Sequence, residues 1–253
     1  MQISSSKNQE PHNLLLAALP DHEMTIFRDS GQKVVVHEGK ILQASTLDAE
    51  WLFFPTTAVL SLMAMTRDGL TVETSLVGRE GLVGLAPFLN QHHHTLECMV
   101  QHGGEVCQIS ADVVRRARLP TLHRLLLRYA GYHLSELAQA AVCNRFHLVR
   151  QRFSRWILTA NDRTSKHEMD FTQEMLSAIV GARRPVVASL IGRMEDEGLI
   201  EYRRGCLAIT NRAGLELAAC ECYGILSKAM TEFLTQSDSV QSDRRGGTPP
   251  FHP

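Results

Sequence analysis

Between Asp170 and Arg204 the chain reads DFTQEMLSAIVGARRPVVASLIGRMEDEGLIEYRR, and two residues in the middle of that stretch leave it few ways to fold. Phe171, Met175, Leu176, Ile179 and Val180 recur at helical spacing behind Thr172, a residue type suited to capping a first turn. Gly181 is free to take the left-handed conformation that ends a helix, whereas Pro185 is tolerated only near the start of another. The chain must break between them. Two helices are therefore joined by a turn of about three or four residues containing a glycine, which is a helix-turn-helix.

The second helix spans roughly Arg184 to Glu197 and places Val187, Leu190, Ile191 and Met194 on one side, the stripe that docks onto a core. Its other side carries Pro185, Ala188, Ser189, Gly192 and Arg193, with Arg184 at the N-terminal tip. A small, flat, partly cationic face of this kind suits the DNA major groove. Guanidinium groups make bidentate bonds to guanine, serine bonds several bases, and alanine touches the thymine methyl. Arg184, Pro185, Ala188, Ser189 and Arg193 are the candidate base-contacting residues. After Gly198, Leu199 to Tyr202 and Cys206 to Thr210 read as two short strands around Arg203-Arg204-Gly205, a wing whose arginines can reach phosphates. Thr172 and Gln173 at the first helix start, and Arg183 in the turn, complete the candidate phosphate contacts. A structural helical hairpin with solvated charges is the plainer account of the helices alone. The hairpin directly behind them is what favours a nucleic-acid partner.

A net charge of -1 conceals a gradient along the 253 residues. Lys plus Arg against Asp plus Glu stands at 11 to 14 over residues 1–143, 12 to 8 over 144–212, and 3 to 5 beyond. The basic share lies on the helix-turn-helix, as DNA contact requires, although an excess of four also suits a solvated face. With 44% hydrophobic residues the chain can bury two cores, one per domain. Its six cysteines lack a C-x-x-C pair, its N-terminus does not resemble a signal peptide, and no apolar run nears 18 residues. These features point to a soluble cytoplasmic protein with reduced thiols.

Residues 1–12 are polar and expected to be loose. Leu14 to Leu19 and Asp21 to Phe27 form short helices. From Gly31 the chain turns to short runs separated by turn residues, about eight strands in all, implying an antiparallel sandwich or roll. Asp68-Gly69 between Val59–Met65 and Leu70–Val77 is the strongest hairpin signal, and Gly103-Gly104 between Cys98–Gln101 and Val106–Ser110 suggests another. Gly78 to Leu89 is a glycine-flanked helical turn within the roll. From Thr121 an apolar stripe runs for about 20 residues, roughly 30 Å of helix. Leu122, Leu126, Tyr129, Leu134, Leu137 and Ala141 are expected to form a seam between two copies of the chain, with burial on the roll of the same copy as the alternative. Phase is lost at Asn144 to His147, a hinge. Leu215 to Leu226 reads as one more helix, on which Cys220 and Cys222 would point in different directions, so no metal is expected there. The tail from Thr235, rich in Ser, Asp, Gly and Pro, is expected to be disordered.

Taken in order (roll, long helix, hinge, winged helix-turn-helix), residues 14–212 resemble the Crp/Fnr superfamily of bacterial transcription regulators, most closely where TQEMLSAIVG, Arg184 and MEDEGLI follow the family pattern. The resemblance implies an α+β chain with a cyclic-nucleotide-binding-like antiparallel β-roll over 14–118, a dimerisation helix over 119–145, a winged helix-turn-helix over 146–234 and a tail over 235–253. It implies a homodimeric regulator on near-palindromic double-stranded DNA, meeting RNA polymerase if it activates. It places Arg184 at the family's base-contacting arginine, Pro185 where a glutamate often stands and Ser189 where a second arginine often stands, so the base preference does not carry over. In the corresponding effector pocket Gly81 and Gly84 keep the frame, while Leu82 replaces the ribose-binding glutamate and His94-Thr95 replace the phosphate-gripping Arg-Ser. Leucine accepts no hydroxyl bond, so cyclic AMP is not the expected effector. Residues 1–30 hold no cysteine for the iron-sulfur cluster of the oxygen-sensing relatives, and no cofactor is expected. The rival reading is an enzyme, a metal-dependent jelly roll using His92, His94 and Glu97. The spacing to Glu97 is short for that class, and such an enzyme leaves residues 170–210 unexplained.

Overall fold

Two short turns decide how the N-terminal strands stack in the computed structural model, which describes residues 13–44, 50–89, 96–164 and 168–242, with backbone alone for 236–242. After helices α1 (Leu14–Ala17) and α2 (Asp21–Ser30) come β1 (Gln32–Val36), β2 (Ile41–Gln43), β3 (Trp51–Pro55), β4 (Val59–Met65) and β5 (Thr71–Val77). Helix α3 (Leu85–Phe88), β6 (Leu96–His102), β7 (Gly104–Ser110) and α4 (Ala111–Arg116) complete the unit. The strands form two antiparallel sheets, ordered β1-β7-β3 and β2-β6-β4-β5. At Glu38-Gly39-Lys40 and again at Gly103 the chain crosses between them, so the runs around Gly103-Gly104 are not the hairpin that their glycines suggest. The glycine at 104 serves close approach instead: a Cβ there would lie 2.6 Å from the Ala58 nitrogen. Residues 56–58 clasp this crossing, with Thr57 Oγ1 accepting from the Glu105 amide at 2.8 Å. The Asp68-Gly69 signal is a true hairpin, β4 with β5, closed by a bond from the Thr66 amide to the Leu70 carbonyl at 2.9 Å.

Helix α5 covers Pro120–Phe146, about 40 Å at 1.5 Å per residue. Leu122, Leu126 and Tyr129 are at most 2% exposed and pack on α1, α2, β3 and β7 of the same chain. They are therefore not seam residues; their leucines face inward because α5 needs an apolar flank to lie on the roll. About half a turn away, Leu127 (48% exposed), Leu134 (67%) and Val142 (44%) stand open beside Gly131, Ala138 and Ala141. Leu137 lies half-buried between the two faces.

His147, in extended conformation (ψ 147°), separates α5 from α6 (Val149–Arg163) at the expected hinge. Beyond α6 come β8 (Glu168–Asp170), α7 (Gln173–Val180), α8 (Arg184–Asp196), β9 (Ile200–Arg203), β10 (Cys206–Ile209), α9 (Arg212–Ala218) and α10 (Cys222–Ser242). The stretch read as one helix over 215–226 is thus two, broken at 219–221. Helix α10 also continues past Thr235 to Ser242, where disorder was expected, and the rest of the expected tail, residues 243–253, lies outside the described residues. It lies along α5, Phe233 stacking on Tyr132 at 5.5 Å and anchoring the segment before the polar sequence begins.

The C-terminal core contains Phe153, Trp156, Leu176, Ile179, Val187, Leu190 and Leu207, and it continues into Val59 and Leu76 of the roll. Polar groups also cross this junction. Arg163 of α6 donates to Glu80 at 2.8 Å and to Glu136 of α5 at 3.0 Å, and Ser75 of β5 donates to Glu136 at 2.6 Å. Burial alone would raise the Glu136 carboxyl, but His133, Arg163 and Ser75 outweigh it and hold the group below its ordinary range. Glu73 of β5 accepts from Trp156 Nε1 at 2.5 Å and Ser61 Oγ at 2.7 Å. Burial lifts its pKa from 4.5 to about 7.

Candidate nucleic-acid interface

Thr172 caps α7, its Oγ1 accepting from the Met175 amide at 3.2 Å. Gly181 ends that helix at φ 62°, the left-handed region that costs glycine little. Pro185 lies in the first turn of α8, whose axis turns 102° from that of α7, within the range of DNA-binding helix pairs. Val187, Leu190, Ile191 and Met194 are buried, and this single stripe pins α8. Arg183, Arg184, Pro185, Ala188, Ser189 and Arg193 are exposed, with Val186 beside them and Gly192 partly covered.

The wing is a two-residue hairpin. Arg203 pairs with Cys206, and Arg204 and Gly205 both take positive φ, 52° and 87°, as a type I′ turn demands. A third strand, β8, pairs with β10; three residues between turn signals are too short for periodicity to reveal. Two bonds draw the wing tip toward the start of α7. The Phe171 amide donates to the Gly205 carbonyl at 2.6 Å, and Tyr202 Oη donates to the Phe171 carbonyl at 2.8 Å. Arg203 and Arg204 thereby stand on the same edge as Thr172 and Gln173, all four exposed. At the other end Glu195 of α8 accepts from the Tyr202 amide at 2.8 Å, so helix and wing move together. Arg184 pairs with Glu174 at 2.5 Å and Arg203 with Glu201 at 2.5 Å. These exposed pairs hold the guanidiniums only loosely.

The candidate effector pocket has a different character. Gly81 is small because α5 presses on it: a Cβ there would fall 2.4 Å from Tyr129 Oη. Gly84 takes φ 113°, and a Cβ would meet the Trp51 carbonyl at 2.4 Å. Leu82 is 1% exposed. The cavity that Leu82 and Gly84 line with Leu62, Leu96, Cys98 and His133 holds about 70 Å³, well below the roughly 300 Å³ at which small-molecule pockets begin. His94 and Thr95, like His92, lie outside the described residues. Glu97 sits in β6 opposite Met63.

A family profile described as the Crp-like helix-turn-helix domain matches residues 151–218. The chain carries a Crp-like helix-turn-helix domain within a Crp/Fnr fold. The fold is similar to that of a Crp/Fnr-family protein from Eubacterium rectale (TM-score 0.65, 14% identity, covering 81% of this chain and 96% of that one). It is also similar to FixK2 from Bradyrhizobium japonicum (0.65, 12%, 75% and 98%). A third is the c-di-GMP-responsive global regulator CLP of Xanthomonas campestris (0.62, 14%, 75% and 99%). A comparison with curated sequences finds no significant match. Among the described residues of this Crp/Fnr-fold chain, no single helix is long and apolar enough to cross a membrane.

Proposed function

We propose that the chain is a sequence-specific DNA-binding transcription regulator that acts in the cytoplasm as a homodimer and does not respond to cyclic AMP. The observation that carries this reading is the exposed face of α8 from Arg183 to Arg193, continued by the wing arginines on one surface. Arg184, Ser189 and Arg193 read bases together with the flat Pro185 and Ala188, while Thr172, Gln173, Arg183, Arg203 and Arg204 bind phosphates.

The dimer forms along the open face of α5. Leu127, Gly131, Leu134, Ala138, Ala141 and Arg145 are spaced four, three, four, three and four apart, a heptad seam whose small residues let two helices approach. The apolar part of this seam, Leu127 to Ala141, left bare in one chain calls for a partner, and a second copy presents the identical stripe. Two α8 helices would then enter successive major grooves about 34 Å apart on a near-palindromic site. The small size of the cavity at Leu82 and Gly84, about 70 Å³, supports the absence of a cyclic-nucleotide response. Selecting bound duplexes from a random pool tests the whole reading: inverted repeats spaced by one helical turn are expected, and failure to retain any duplex at low salt would overturn it.

A further inference from the structure

Cys143 lies in the last turn of α5, His147 caps that helix one turn later, Cys220 precedes α10 and Cys222 is its first residue. Sequence separation hides their meeting, and so did the reading of Cys220 and Cys222 as helical neighbours. Cys220 is outside the helix, so both thiols turn to the same point. The three cysteines are at most 4% exposed and form a buried cluster of their own. Cys143 Sγ stands 3.6 Å from Cys220 Sγ, and Cys222 Sγ stands 3.4 Å from His147 Nδ1. All four ligand atoms fall within 4.8 Å of one another.

We propose that Cys143, His147, Cys220 and Cys222 form a closed tetrahedral site for a zinc-type divalent ion. With metal–sulfur bonds of about 2.3 Å and metal–nitrogen bonds of about 2.0–2.1 Å, the edges of such a tetrahedron are roughly 3.5–3.8 Å. The Cys143–Cys220 and Cys222–His147 separations, 3.6 and 3.4 Å, lie within about 0.1 Å of that range. The outer contacts are those of a metal centre as well. His147 offers Nδ1 inward while Nε2 donates to Glu221 at 3.1 Å, and Gln139 Nε2 donates to Cys222 Sγ at 3.0 Å. A carboxylate behind a ligating histidine fixes its tautomer and raises its basicity. Three thiolates and one imidazole favour a soft or borderline ion over magnesium or calcium. Four ligands gathered around one point suit a single ion; an iron-sulfur cluster interposes iron and sulfide and spreads its cysteines apart. Binding displaces the thiol protons to solvent.

The site's position gives it a role. Residues 149–218 lie between the two ligand pairs, so one ion clamps both ends of the helix-turn-helix domain to the tip of α5. Occupancy then fixes the angle at which α8 is presented, because the His147 hinge is itself a ligand. The full-length protein, expressed with zinc and gel-filtered, is expected to carry one zinc per chain by elemental analysis. Cys222→Ser is expected to lose it, and Cys206→Ser, outside the cluster, to retain it. Glu221→Ala should weaken zinc binding roughly 10–100-fold. If Cys222→Ser fails to fold, wild-type protein stripped by chelator and titrated with Co²⁺ should develop the intense visible bands of a tetrahedral thiolate site. Three results would each overturn the proposal: absence of metal with no Co²⁺ spectrum, iron with acid-labile sulfide, or a Cys143–Cys220 disulfide in protein purified without reductant. None of these assays uses DNA, so their outcome is separate from that of the duplex selection.

Discussion

Glu73 gives the junction between roll and DNA-binding domain a measurable dependence on pH. Burial raises its carboxyl from 4.5 to about 7, and hydrogen bonds from Ser61 and Trp156 offset only part of that rise. Because the folded value lies above the unfolded one, the protonated form is favoured in the folded state. Its contribution is fully present below about pH 4.5 and is lost as pH rises through about 7. Integrating the two titrations between pH 5 and pH 8 gives a loss on the order of 2–3 kcal/mol, an upper value because Glu73 keeps some contact with solvent. Glu73→Gln removes the titration while retaining an oxygen for Trp156 and placing an amide against the Ser61 hydroxyl. Thermal unfolding of both proteins from pH 5 to 8 isolates the effect, since other titrating groups cancel in the difference. Relative to the glutamine variant, wild type should lose about 5–10 °C in Tm across that window, at 2–4 °C per kcal/mol for a chain of this size. Curves that stay parallel across the whole range would refute the reasoning.

Other perturbations probe the DNA face, the seam and the junction. Arg184→Ala should cost about 1–3 kcal/mol on the selected site and relax the preference at one base; equal loss on random DNA in a gel-shift titration would contradict a base-reading role. Arg203→Ala should weaken binding on all duplexes and flatten the salt slope by about one unit. Leu134→Glu would place two carboxylates in the seam, so sedimentation should show a monomer at concentrations where wild type is dimeric. Arg163→Ala leaves Glu80 and Glu136 buried without their cation and should destabilise by about 3–5 kcal/mol in urea unfolding; a loss below about 1 kcal/mol would mean that water replaces the guanidinium.

The helix-turn-helix was legible because Gly181 and Pro185 permit one break and Val187, Leu190, Ile191 and Met194 leave one face for the core. The Asp68-Gly69 hairpin was legible for the same reason: a local conformational requirement written in a residue type. Gly103-Gly104 misled because two glycines signal a turn as readily when the chain changes sheets as when a strand folds back. Nothing local records that Thr57 and Ala58 press against Gly104. The phase of α5 was misread because both its flanks are apolar, one for the roll and one left open, and a count of leucines weights them equally. The four-ligand cluster was hidden twice. Its pairs lie some 75 residues apart, and the break at 219–221 falls in a run of alanine, cysteine and glutamate with no glycine or proline to mark it.

The hidden cluster lies where the domains meet, among ties that share a particular chemistry. Val59 and Leu76 extend the apolar core across the junction, but the remaining ties are ionic or polar: Arg163 with Glu80 and Glu136, Glu73 with Trp156, and the cysteine-histidine cluster at the hinge. Apolar packing does not depend on protonation, whereas a guanidinium shared by two carboxylates, or four ligands converging on one point, holds its geometry only while each partner keeps its charge and place. The orientation of α8 relative to α5 is thus set by groups that respond to solution conditions. A signal that reaches the DNA face through this junction need not enter the roll, whose cavity at Leu82 and Gly84 holds only about 70 Å³.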